Sequence, residues 1–306
     1  MILVTVMADS GCSIKRFAVN KVGDALSQGG STYESDDDLE LVGDALPFSL
    51  KLIESLLAES PRHRGMLETA CKGFATYTYI YVQHEAGRVT DQDVARAWET
   101  RERSRRLYLR ASRYGLRGLE VAYPGITDRL ETDPAEAVAA VRAKDLSLLY
   151  WNAVALGLAI SVSKDDAAML ARLPGVESML SRALELDESW NRGALHEFEL
   201  TLASARLGPP DYDELATHFD RARTLSAGMS AGLFVAYADA VAVPQQDVDR
   251  FRSLIAQALE VDPDEREETR LANLVAQRRA RSLLRRIDDL FLDAESADAA
   301  PEGGTP

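Results

Sequence analysis

Apolar residues return every three or four positions along almost the whole of this 306-residue chain, and alternating, strand-like runs are hard to find. A chain patterned this way can remove its apolar side chains from water only by packing helices against one another. Residue usage agrees, since 44 alanines and 40 leucines, both strong helix formers, stand against 19 glycines and 11 prolines. The spacing predicts helices over 14–28, 38–59, 63–86, 91–121, 134–142, 145–162, 165–185, 189–206, 211–224, 229–240, 245–260 and 264–292. Breaks fall at turn-forming residues such as Ser60-Pro61, Pro124-Gly125, Pro174-Gly175 and Pro209-Pro210, with Asp91, Asp133, Asp187 and Asp262 as candidate N-caps. Short connections between helices imply antiparallel hairpins.

A helix-ending string recurs as Ala183–Asp187, Ala222–Ser226 and Ala258–Pro263, with starts 39 and 36 residues apart and a weaker copy at Leu56–Pro61. This is close to the ~34-residue period of tetratricopeptide repeats. The expected fold is therefore all-α, a tetratricopeptide-like helical-hairpin solenoid with divergent repeats. It is expected to form one domain over 13–292, followed by an acidic, disordered tail over 293–306.

Thirty-five basic residues against 49 acidic ones leave a net charge of −14, which repels polyphosphate and argues against a nucleic-acid partner. No run of 18 apolar residues occurs, so no membrane-spanning helix is expected. The two cysteines, Cys12 and Cys71, are too few for a disulfide framework or a thiolate zinc site. Cys71 lies in an apolar helical pattern and reads as a small buried hydrophobe. Cys12 follows an apolar start and small residues, the order found in a bacterial lipoprotein signal, although Asp9 interrupts it and no basic residue precedes it. Residues 1–12 read as a degenerate or truncated signal of that kind, ending at Cys12.

The chemical motifs are weak. Gly228-Met-Ser-Ala-Gly232 has the spelling of a hydrolase elbow, but helical sequence precedes it and no histidine follows Ser230. His196-Glu197 opens like a zinc helix, yet Leu200 stands where the second histidine belongs. No enzyme, metal or cofactor is expected. Arg103, Arg106, Arg110, Arg113 and Arg117 share one helix face, and Arg278, Arg281 and Arg285 form a shorter set; such rows pair with carboxylates or meet an anion, headgroup or partner protein. Phe74, Tyr77 and Tyr81 have core spacing. Tyr150, Trp151 and Asn152, followed by small residues at Ala153, Ala155, Gly157 and Ala159, are the better pocket candidates.

Several longer strings are similar to one family, the TatT-type component associated with tripartite ATP-independent periplasmic (TRAP) transporters. They are Gly11–Asp24 (GCSIKRFAVNKVGD), Leu46–Lys51 (LPFSLK), Glu59–His63 (ESPRH), Leu149–Trp151 (LYW), Gly193–Phe198 (GALHEF) and Arg270–Arg281 (RLANLVAQRRAR) ahead of Leu290-Phe291. The resemblance implies a periplasmic lipoprotein, anchored at Cys12 and sorted to the inner leaflet of the outer membrane. It also implies a homotrimer that associates with a periplasmic solute-binding protein and acts as an accessory rather than an enzyme. On that footing Tyr150, Trp151, Asn152, His196 and Glu197 are the expected walls for a small, partly apolar solute. The rival expectation is a tetratricopeptide adaptor holding an extended peptide in envelope assembly or secretion.

Overall fold

The computed structural model describes residues 8–28, 31–83, 94–206 and 208–292, and their regular structure is helical, with no strand among them. The all-α expectation holds. The contacts cluster into two compact units, Met1–Tyr33 with Glu40–Glu188 and Glu34–Leu39 with Ser189–Pro306. The expected tail at 293–306 and Asp91 lie outside the described residues.

Unit 1 is built from α1 (Ala8–Gln28), α2 (Leu39–Glu59), α3 (Arg64–Tyr77), α4 (Val94–Ala122), α5 (Leu146–Ser161) and α6 (Leu173–Asp187). Helix α3 starts where His63 accepts the backbone N–H of Met66 at 3.2 Å. It ends in a π-helical turn at Thr78–Gln83 instead of continuing to 86 as α-helix. Helix α5 packs on α3, α4 and α6. It is apolar around its whole circumference, with a near-continuous run of buried residues from Leu146 to Ile160, and a helix of that kind can only be central. Gly115 on α4 allows the close approach, since a Cβ there would stand 2.8 Å from Asn152 Oδ1 and 2.9 Å from Cys71 Sγ. The segment after Gly125 holds two short helices, Ile126–Thr132 and Pro134–Ala139, of which the first is absent from the sequence reading. Asp133 caps the second as expected, accepting from Glu136 N at 3.3 Å.

Unit 2 contains α7 (Ala194–Ala203), α8 (Tyr212–Ser226), α9 (Ala231–Tyr237), α10 (Val248–Glu260) and α11 (Arg270–Leu284). Helix α7 pairs with α8, and α9 with both α10 and α11. Asp211, Ser230 and Asp247 supply N-caps that the sequence reading did not name. Asp187 instead ends α6, and Asp262 closes a turn onto Asp264 N at 2.9 Å. The repeated strings have a physical meaning. Ala183, Ala222 and Ala258 each lie near the C-terminal end of a helix and are buried, so small side chains mark where the chain packs closely. Ala58 of the weaker copy is exposed.

Candidate functional site

The expected wall residues fall into two clusters, one in each unit. In unit 1, Tyr150 is buried and Trp151 half-buried, their rings 5.3 Å apart in an edge-on arrangement, with Lys72 Nζ 5.5 Å from the Trp151 ring centre. Asn152 is wholly buried at the crossing of α4, α5 and α6. Its Oδ1 accepts from Ser112 Oγ at 3.0 Å, and its Nδ2 donates to Met179 Sδ at 3.2 Å. Cys71 lies beside it, and burial pushes its thiol far above the ordinary range, leaving it an inert hydrophobe.

In unit 2, His196 Nδ1 and His218 Nδ1 are 2.8 Å apart, and His218 Nε2 lies 3.9 Å from Glu214 Oε1. Glu197 is half-buried as a residue, but its carboxyl is enclosed against the turn before α9, where Oε2 accepts from Ser230 Oγ at 2.7 Å. Burial raises its pKa, and the Ser230 hydrogen bond only partly opposes the shift. Ser230 Oγ also accepts from Leu233 N at 3.3 Å, capping α9. A Cβ at Gly232 would fall 2.4 Å from Glu197 Oε1, so a side chain there would have to displace that carboxyl. Asn273 grips the same turn from α11, accepting from Ala231 N at 3.0 Å and donating to Met229 O at 3.1 Å. The Gly-x-Ser-x-Gly spelling is therefore a helix start pinned by Glu197 and Asn273, with no strand leading into it.

Asn273 and its neighbour one turn on, Gln277, were not singled out from sequence. Gln277 Nε2 donates to Val261 O at 2.7 Å and to the Ala258 and Leu259 carbonyls at 3.3 Å, closing the end of α10. The available signal was a pair of amides four apart on the apolar face of α11, where polar side chains belong only if bonded.

The arginine row divides. Arg110 Nε meets Glu54 Oε1 at 2.7 Å, with the guanidinium 5.0 Å from the Phe74 ring centre. Burial would raise Glu54, but hydrogen bonds from Lys51 and Tyr114 and the Arg110 charge outweigh it and hold the carboxyl below its ordinary value. Arg117 donates to Pro61 O at 3.0 Å. Arg103, Arg106 and Arg113 are exposed, as are Arg278 and Arg281 on α11 and Arg285 at its C-cap. Among the described residues no group of three or more His, Cys, Asp or Glu is arranged to hold a metal, and no helix is long and apolar enough to cross a membrane. Two open surface depressions, lined by Glu102, Arg105, Ser163 and Asp166 and by Asp220, Arg223 and Thr224, include none of the five expected wall residues.

Comparison with known proteins supplies the context that this geometry lacks. The family model for the TRAP transporter T-component matches residues 35–291, which takes in α2 through α11 and both clusters. The chain belongs to that family. A protein of Treponema pallidum (strain Nichols), described as uncharacterized, is 28% identical over 93% of this chain and 94% of its own length. As a TRAP T-component, the chain is assigned to a family of transport accessories, and the two clusters supply stable helix crossings and a pinned turn within it.

Proposed function

We propose that this T-component is a non-enzymatic accessory of a TRAP-type solute uptake system. In this reading it is held in the periplasm by a lipid on Cys12 at the inner leaflet of the outer membrane. It assembles as a homotrimer and docks the system's periplasmic solute-binding protein. The observation that carries the docking step is the second apolar face of α2. Val42, Leu46, Leu50, Ile53 and Leu57 face the core. On the opposite line Leu41, Phe48 and Leu52 remain 58%, 73% and 40% exposed. Apolar surface left in water forgoes about 25 cal/mol per Å², so a row of this kind is a surface made to be covered.

The buried alanines at the ends of α6, α8 and α10 support a tetratricopeptide-like stacking of hairpins. Tyr150, Trp151 and Asn152 in unit 1, and separately His196 and Glu197 in unit 2, are the candidate contacts for a small, partly apolar solute, and of these Trp151 keeps a partly open ring.

The test is capture of the solute-binding protein by the tagged full-length chain. Phe48→Asp is expected to weaken that capture at least tenfold while leaving the melting temperature unchanged, and undiminished capture would remove α2 from the interface. Light scattering of the purified chain should give three times the 33.6 kDa chain mass; a monomeric mass refutes the trimer. Recovery of an extended peptide or secretion partner in place of the solute-binding protein would favour the adaptor.

A further inference from the structure

One end of unit 1 carries exposed basic side chains and an exposed aromatic ring. The turn between α2 and α3 brings three elements together there. Ser60 Oγ donates to Asn20 Oδ1 of α1 at 2.6 Å, Lys15 Nζ meets Glu59 at 2.8 Å, and Arg117 of α4 donates to Pro61 O at 3.0 Å. Around that turn Arg16 and Arg62 are exposed with no partner among the described residues, and Arg113 is exposed one helical turn from Arg117. Phe17 is 64% exposed, with Lys21 Nζ 5.8 Å from its ring centre.

The carboxylates bonded into this end are already engaged. Glu59 meets Lys15, Asp24 lies 3.2 Å from His63 Nε2, and Asp145 is held by Arg64 and Tyr123. Glu120 accepts from Thr127 N at 3.3 Å and from Gly125 N. The guanidinium groups of Arg16, Arg62 and Arg113 therefore point their charge at solvent with little local cancellation. In a chain of net charge −14, such an end has an orienting consequence: the remainder is repelled from an anionic surface and this end is drawn to it.

We propose that this end of unit 1 is a docking face for anionic phospholipid headgroups, with Arg16, Arg62 and Arg113 on the phosphates and Phe17 at the headgroup boundary. Arginine matches phosphate oxygens in paired hydrogen bonds, and an exposed aromatic ring between basic residues suits the membrane interface. The face begins four residues after Cys12. For the anchored chain the inference rests on the lipidated reading above, and it adds an orientation: α1 and the α2–α3 turn lie on the leaflet.

The test uses the full-length chain carrying Cys12→Ser, so that no acyl chain contributes, sedimented with vesicles of phosphatidylglycerol and phosphatidylethanolamine or of phosphatidylcholine alone. Binding is expected to the anionic vesicles only, and to weaken as salt rises because the charges lie within one Debye length of the surface. Each basic residue near an anionic surface contributes roughly fivefold to partitioning, so R16Q/R62Q/R113Q should lose about a hundredfold. The control R278Q/R281Q/R285Q, on α11 and its C-cap, should lose nothing, and the melting temperatures of both triples should match the parent. Equal binding to neutral vesicles, no binding to anionic ones, or an equal loss in the α11 control overturns the proposal. Labelling of the wild-type chain with radioactive palmitate separates the two readings. Without incorporation, but with anionic vesicle binding intact, the anchor falls and the docking face stands; incorporation without vesicle binding by the Cys12→Ser chain sinks the docking face alone.

Discussion

The two units solve the same problem, a carboxylate drawn into a helical interior, in opposite ways. In unit 1, Asp145 has a side chain almost wholly removed from water, and it receives the Arg64 guanidinium and the Tyr123 hydroxyl. Burial would raise its pKa, but those two hydrogen bonds and the Arg64 charge win, and it is held below its ordinary value. In unit 2, Glu197 receives the neutral Ser230 hydroxyl and, among the described residues, no cation, and desolvation wins. What decides the sign is whether a cation reaches the pocket, because a hydroxyl repays less of the lost hydration than a guanidinium does.

The largest test of the contrast is Arg64→Ala. It strands Asp145 as a buried, uncompensated charge and should cost about 3 kcal/mol, the low end for such a loss because Arg64 is itself half-exposed. Adding Asp145→Asn should return part of that stability in denaturant melts; no recovery would mean the charge was never the issue. Next comes Asn152→Ala, which leaves the Ser112 hydroxyl without its buried acceptor and should cost about 2 kcal/mol. An unchanged melting temperature would show that Asn152 does not hold the α4–α5–α6 crossing.

The smallest effect is the most diagnostic, because it reverses sign between units. Glu197, with its folded pKa raised, favours the unfolded chain once pH climbs above the ordinary carboxylate value of 4.5. Glu197→Gln should therefore be stabilising near pH 8 and close to neutral near pH 4. Asp145, with its folded pKa lowered, contributes stability above its ordinary value of 3.8 that is lost as pH falls through the folded value. Relative to the parent, Glu197→Gln should gain melting temperature and Asp145→Asn should lose it toward pH 8, and both differences should shrink toward pH 3. Parallel profiles would erase the distinction between the units.

Much of the helix inventory was legible because the apolar period is local. Leu146–Ser161 reads as a buried helix from its run of apolar and small residues alone, and Asp133 before Pro134 announces a helix start. The helix at Ile126–Thr132 was not legible, because Pro124-Gly125 reads as a break and only Ile126 in the segment is buried. The α-to-π transitions after Tyr77 and Tyr237 leave no mark on the spacing. The expected 165–185 helix is in fact two, Ala167–Leu170 capped by Asp166 and Leu173–Asp187 with Pro174 in its first turn.

Of the candidate residues, Cys71 was readable as a buried thiol. The partners of His196 and Glu197 were not. His218 arrives from α8 and Ser230 from the turn before α9, so their approach depends on how those elements pack around α7.

The amino-acid order by itself determined that this chain is helical and that its helices carry apolar faces, because a 3.6-residue period is a property of neighbours in sequence. Tertiary structure alone decided which of those faces is covered and which buried polar groups meet a charge. It also decided that Gly232 lies against the Glu197 carboxyl and that Arg16, Arg62 and Arg113 keep their charge open to solvent. Hydration is lost, or kept, only when a group remote in sequence closes over the side chain or leaves it bare.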